Sequence, residues 1–496
     1  MNPLKKLAGQ TALYGTSTIL GRILNYALVP IHTSIFLESQ YGKISDLYAY
    51  VAFFNILYTF GMETAYFRFS AQKKYHGNRT LIYQSAMTWV VLISFSVSAL
   101  LFWQAPTLAH WLGYPEDAHL VRWLAVIMML DAIIAIPFAR LRLENQARWF
   151  AIAKLANIGL QVGLQLLFLL VLPQFIDTSA WFASDVGEIS VSFVFLANLI
   201  ASLITPLFLW RWLIDYRPSL NPQFIKPMLV YATPILLMGV AGMINERIDI
   251  ILFADLLPEG FYPDKTSQQA LGTYSASVKL SIFMLLAIQA FRYAGEPFFF
   301  SGAEDKNAPS LFAQVMHYFT IFSILILVAV SLNVELIGKL FLRSAGFRDA
   351  LYIVPFLLFG KLLYGVYVNL SVWFKLTDQT IFGTIIAGAG AIVTLIVNIL
   401  LIPVLGYLGC AVASISCYLV MCSICYYYGR KYYPIPYFFG PSLVYLIIGI
   451  GLIYLAFAVD LPSDLLENGL NIGLTLLFAL VIFLREKKNL RSYNQA

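Results

Sequence analysis

The sequence predicts an all-α integral membrane protein of about fourteen transmembrane helices. Two observations carry that expectation. Of 496 residues, 60% are hydrophobic and only 12% charged, with a mean hydropathy of +0.77. Soluble domains carry about 25% charged residues, so these few cannot cover the surface of the soluble domains a chain this long would form. Apolar stretches able to supply a span of about 20 residues also recur from end to end. They leave tails and loops averaging about 13 residues, too short for a folded extramembrane domain. A large soluble catalytic domain is excluded. The net charge of +6 is read by its location along the membrane and implies no nucleic-acid partner.

Hydropathy places the spans at 11–36, 44–67, 81–104, 120–139, 150–172, 190–210, 228–254, 270–293, 311–333, 350–372, 381–402, 409–428, 437–458 and 469–484. Lys5 and Lys6 before the first apolar stretch resemble a signal peptide. That stretch carries Arg22 and no A-x-A site before the next span, so a retained helix is expected. Of the 32 basic residues, 21 fall in the tails and even-numbered loops and 6 in the opposite loops. By the positive-inside rule both termini are then cytoplasmic.

A weak echo at half length pairs Gly42 with Gly272 and Ser45 with Ser275, each 230 residues apart. It fits two six-helix halves related by a repeat. The expected organisation is an N-terminal lobe over 1–212 and a basic, proline-bearing inter-lobe loop over 213–227. A C-terminal lobe follows over 228–430, then helices 13 and 14 with a tail over 431–496.

The first span aligns Thr11, Gly15, Thr18, Arg22, Asn25, Val29 and His32 on one helix face. Span four carries Asp131, and span five aligns Lys154, Asn157, Gln161 and Gln165. Span seven aligns Gly239, Gly242, Glu246 and Asp249, flanked by Asn245 and Arg247. Span eight adds Ser275, Lys279 and Gln289, and span ten Lys361 with Tyr364. A charge at mid-span costs at least about 2.5–3.5 kcal/mol on insertion scales, so such groups face a bundle interior or a watery cavity. Asn157, Gln161, Asn198 and Asn398 read first as bonds between helices, and Asp131 as either a structural ion pair or a functional acid.

The ionisable groups are unbalanced. Five cations, Arg22, Lys154, Arg247, Lys279 and Lys361, face three acids, Asp131, Glu246 and Asp249. Lys154 can snorkel to the rim, and Arg247 can pair with Glu246 or Asp249. The remainder describes a cavity that is cationic when empty. It suits an anion, a phosphate diester or diphosphate best, because guanidinium bonds phosphate oxygens in pairs. The candidate substrate contacts are Arg22, Asn25, His32, Arg247, Lys279 and Lys361. The candidate ion-coupling acids are Asp249, Glu246 and Asp131. No catalytic residue or cofactor is expected. Neither the five histidines nor Cys410, Cys417, Cys422 and Cys425 show metal-site spacing convincing enough to outweigh ordinary packing inside spans.

Four stretches resemble the multidrug/oligosaccharidyl-lipid/polysaccharide exporter superfamily, in its polysaccharide-transport branch of Wzx-type O-antigen flippases. They are Gly61-Met62-Glu63-Thr64-Ala65-Tyr66-Phe67-Arg68-Phe69, Arg140–Arg148, Phe291–Phe300, and Asn398–Ala411 with Cys410 in place of an alanine. The resemblance implies two pseudo-symmetric six-helix lobes around a central cavity, plus two peripheral helices. It implies a flippase that carries undecaprenyl-diphosphate-linked oligosaccharide units across the bacterial inner membrane by alternating access. The implied partners are that glycan, membrane lipids, a coupling H+ or Na+, and polysaccharide assembly proteins. Related lipid II flippases place arginines of spans one, two and eight in the cavity. Arg22 matches the first, Lys279 or Arg292 could serve as the third, and no span-two arginine lies away from its end. The rival readings are a cation or drug antiporter of the same superfamily and a membrane polysaccharide polymerase or ligase. The short outer loops at 173–189 and 255–269 count against the enzyme.

Overall fold

A computed structural model describes residues 3–176, 189–302, 308–459 and 462–493. Most of the predicted outer loop 173–189 therefore lies outside the described residues. Among the described residues the regular structure is helical throughout, and a helix lies at every predicted span. The chain begins with α1 (Pro3–Ala27), α2 (Val29–Ile35), α3 (Glu38–Thr59), α4 (Met62–Ala71) and α5 (Arg79–Trp103). A short α6 (Ala105–Trp111) leads to α7 (Ala118–Leu143), α8 (Ala147–Leu166), α9 (Ser192–Phe208), α10 (Trp210–Leu213) and the long α11 (Pro222–Leu256). Next come α12 (Ser267–Lys279), α13 (Ile282–Gly302), α14 (Ala308–Leu332), α15 (Val334–Phe341), α16 (Val354–Leu370) and α17 (Val372–Leu376). The chain closes with α18 (Ile381–Leu405), α19 (Tyr407–Tyr432), α20 (Phe439–Ala458) and α21 (Asp464–Tyr493).

Ten helical stretches among the described residues are long and apolar enough to cross a membrane, or eleven if α12 and α13 form one bent span. The chain is a multi-pass membrane protein. Its surface is turned outward as a bilayer requires: Trp103 is 79% exposed and Leu476 65%, contacts that only lipid satisfies without penalty.

Three spans expected as single helices are interrupted. Span one breaks at Leu28 because Pro30 has no N–H to offer the carbonyl of Tyr26. Its polar face is consequently not continuous: Arg22 and Asn25 are exposed while His32 is buried. Span two breaks at Phe60 and Gly61, both with positive φ. At Gly61 a Cβ would also stand 3.1 Å from the carbonyl of Ala232, so the first residue of the first motif must be glycine twice over. Span eight bends by 44° between α12 and α13, and Lys279 is the last residue before the bend.

The chain divides into two compact units, Met1–Ile251 and Leu252–Ala496. In the first, α5 packs on α7, while α8 packs on both α1 and α9. Tyr58, Met62, Tyr66, Phe193 and Phe195 are fully buried there. In the second, α18 and α16 pack on α19, and α14 on α16 and α20. Stacked rings of Phe253, Tyr274, Tyr407 and Tyr262 fasten its helix ends.

Each unit also carries a lysine–aspartate lock between the start of one long helix and a short-helix loop. In the first unit Lys43 Nζ lies 2.6 Å from Asp117, with both side chains nearly buried, and Tyr114 donates to Asp46 at 3.1 Å. In the second, Lys265 Nζ reaches Asp349 at 2.7 Å and Thr273 at 2.9 Å.

Candidate functional site

Most of the sequence-predicted polar candidates of the first unit gather in two places. One joins α1 to α11. Arg22, Glu246 and Arg247 all lie within electrostatic reach of the Tyr26 hydroxyl. Arg22 and Asn25 are exposed; Glu246, Arg247 and Asp249 are half-buried. Asp249 accepts from the backbone N–H of Ile250 at 3.0 Å. The α1–α8 contact beneath them is tight, for a Cβ on Gly21 would run into Ile158.

The other place is a cavity of about 320 Å³ walled by α3, α4, α7 and α8. Asp131 projects into it from α7 and accepts from Ser202 Oγ at 2.9 Å, with Lys154 of α8 close enough to act on it electrostatically. Glu63 of α4 and Arg142 of α7 form an ion pair in the same wall. Asn55, Thr59 and Asn157 supply neutral polar groups, and Asn157 donates to Thr205 of α9 at 2.6 Å. Phe138 and Phe150 supply an apolar face, their ring centroids 5.2 Å apart.

His32 belongs to neither place. Its Nε2 is 2.8 Å from Gln165 Oε1, and its ring packs edge-on against Phe36 and Tyr41. In the second unit Lys279 ends α12, where a cation is favoured by the helix dipole. Lys361 lies 5.9 Å from the ring centre of Tyr418. Arg292 is exposed on α13.

Glu63 and Arg142 are site groups absent from the sequence-based candidates. Both sit in motifs noted for their resemblance, and their meeting was signalled only by opposite charge. The rest of the second motif is also engaged: Arg140 binds Glu144 at 2.7 Å and Asp215 at 3.0 Å, over the ring of Tyr83. Of the amides expected between helices, Asn157 and Asn198 make such bonds, Asn198 to Tyr48 at 3.1 Å. Asn398 instead returns to Thr394 of its own helix. Among the described residues no three His, Cys, Asp or Glu side chains are grouped to hold a metal ion.

Residues 7–295 match the model of the family described as "Polysaccharide biosynthesis protein". The chain belongs to that family. No curated protein matches this member by sequence. Among solved structures it is similar to the lipid II flippase MurJ in an inward closed conformation, with a TM-score of 0.72 at 15% identity. That likeness covers 96% of this chain and 99% of the other. A MATE transporter in the straight conformation matches with a TM-score of 0.63 at 13% identity, over 87% and 96% of the two chains. A superfamily transporter from Pyrococcus furiosus, whose binding pocket is described as reversed in polarity, matches at 0.60 and 13%, over 87% and 98%. At such identities the likeness shows the fold alone. This polysaccharide biosynthesis protein has the transporter fold of the multidrug/oligosaccharidyl-lipid/polysaccharide exporter superfamily, as the four motifs led one to expect.

Proposed function

We propose that the protein is a flippase for undecaprenyl-diphosphate-linked oligosaccharide repeat units of a surface polysaccharide. It would act in the bacterial inner membrane by alternating access, with all fourteen helical segments crossing and both termini cytoplasmic. The observation that supports this most is the exposed guanidinium of Arg22, joined at the α1–α11 junction by Arg247. Arg22 and Arg247 stand with Glu246 and Asp249, so the preference for an anionic headgroup rests on Arg22, the exposed member of the four, and paired guanidinium bonds favour phosphate. In the second unit, Lys279 and Lys361 are proposed as contacts for an anionic group. Asn25 would meet the glycan beside Arg22, and His32 would act by holding α2 against Gln165. Transport needs no covalent step, and the cargo's lipid tail stays in the bilayer. The test is a null strain: it should accumulate the lipid-linked glycan on the cytoplasmic face, and proteoliposomes holding the pure protein should expose that glycan to an added glycosidase. No accumulation and no exposure would refute the reading. The shared fold with MATE transporters favours a second reading, a drug or cation antiporter, which predicts efflux of an organic dye cation from the same vesicles.

The orientation rests on the charge asymmetry of the loops. Glu116→Cys, at an exposed position between α6 and α7, should react with an impermeant maleimide on intact spheroplasts. Gly77→Cys, exposed between α4 and α5, should react only after permeabilisation. The reverse pattern inverts the topology.

An ion gradient could drive the cycle, since one charge crossing 100 mV releases about 2.3 kcal/mol. We place the coupling on Glu246 and Asp249, the two acids that stand half-buried beside Arg247 on α11. Asp249→Asn should lower transport and flatten its dependence on pH or sodium at normal expression. An unchanged ion dependence in proteoliposomes removes Asp249 from this role.

A further inference from the structure

We propose that the cavity between α3, α4, α7 and α8 is a saccharide subsite that receives the sugar nearest the diphosphate. The inference rests on the flippase reading and assigns a ligand to a place that reading leaves empty of function. The argument begins with charge. The wall holds two acids and two bases, so its formal charges cancel: Glu63 and Arg142 form an ion pair, and Lys154 lies within electrostatic reach of Asp131, which accepts from Ser202. A wall without net charge offers a diphosphate or an organic cation no advantage. It does offer a dense set of donors and acceptors, which is what a neutral polyhydroxylated ring needs to replace its water.

Shape and surface agree with this chemistry. About 320 Å³ is the small end of the range for ligand pockets, a fit for a sugar ring and not for a bulky drug. Phe150, with Phe138 edge-on behind it, gives the cavity an aromatic side against which the C–H face of a pyranose can lie, while Lys154 sits over the Phe138 ring. Asn55, Thr59 and Asn157 stand among the charged pairs as neutral hydrogen-bonding groups. Position agrees as well. Gly21, next to Arg22, is pressed against Ile158, and the residue before Ile158 in the chain, Asn157, lines the cavity. The α1 turn that carries Arg22 therefore packs on the α8 turn that carries Asn157, which brings the two places onto one pair of packed helices.

The experiment compares two lipids on the purified full-length protein in nanodiscs. One is undecaprenyl diphosphate without sugar; the other is the undecaprenyl-diphosphate-linked glycan extracted from a strain lacking this protein. The wild type should bind the glycosylated lipid about tenfold more tightly. Asn157→Leu should bring that affinity down to that of the bare lipid and leave the bare lipid's own affinity unchanged. Thr59→Val keeps the side-chain volume and should act in the same direction if Asn157→Leu disturbs folding. Arg22→Ala should weaken both lipids alike. Equal affinity for the two lipids in the wild type overturns the subsite. So does an equal loss of both in Asn157→Leu and Thr59→Val, which would make the cavity a phosphate or packing feature. Failure of the wild type to bind either lipid overturns the flippase reading itself and the subsite with it.

Discussion

Arg22→Ala should lower glycan export by about two orders of magnitude while the protein still reaches the membrane with a near-normal melting temperature. The side chain is exposed, so its removal leaves no buried partner stranded, and the fold has little to lose. The cargo loses much more. A hydrogen bond to a charged group contributes about 1.5–3 kcal/mol, and each 1.4 kcal/mol is about tenfold in affinity. Two bonds from one guanidinium to a diphosphate account for the expected loss. Arg22→Lys should retain the charge and lose the fork, so export should fall by about tenfold rather than recover. Export can be followed by the surface polysaccharide of a complemented null strain, with melting measured on the purified protein. If Arg22→Ala exports normally, the diphosphate assignment fails. If folded protein is lost in parallel with export, the arginine is structural.

Asp117→Ala should produce the largest loss of stability. Lys43 and Asp117 are both nearly buried and 2.6 Å apart, so truncating the acid removes the carboxylate paired with an ammonium in a place water reaches poorly. Breaking such a pair costs about 3–5 kcal/mol. The double variant Lys43→Met with Asp117→Leu removes both charges and should recover most of the loss, since apolar replacement of a buried pair is often neutral. The corresponding lock of the second unit supplies the control. Asp349 is more than half exposed, and Asp349→Ala should cost about 0–1 kcal/mol. Thermal unfolding of the four proteins in one detergent decides the matter. Equal effects at Asp117 and Asp349 would show that burial does not set the cost.

Both locks bear on how the sequence encodes the fold. The echo at 230 residues sets Lys43 opposite Thr273, which looks like a loss of the lysine. In space the role is kept, because Lys265 reaches back to Thr273 and on to Asp349. Similarly, Gly61 opens a motif that reads as a family signature, and its reason is local: a left-handed turn pressed on the backbone of α11.

The membrane class, the helical segments and the polar faces of α8 and α11 were legible from the sequence alone. They follow from hydropathy and from the helical repeat, both of which are sums over neighbouring residues. The breaks at Leu28, Phe60–Gly61 and Leu280–Ser281 were not resolved, because an apolar window averages across a single proline or a positive φ. The pairing of charges lay still further out of reach. Glu63 and Arg142 are 79 residues apart, and Asp131 meets Ser202 across 71. A sequence lists the charges and bounds their sum, but which acid neutralises which base depends on distances that exist only after α4, α7, α8 and α9 have packed. That packing alone decided that Arg142 pairs with Glu63, that Lys154 lies near Asp131, and that Arg22 stands exposed while His32 of the same span is buried.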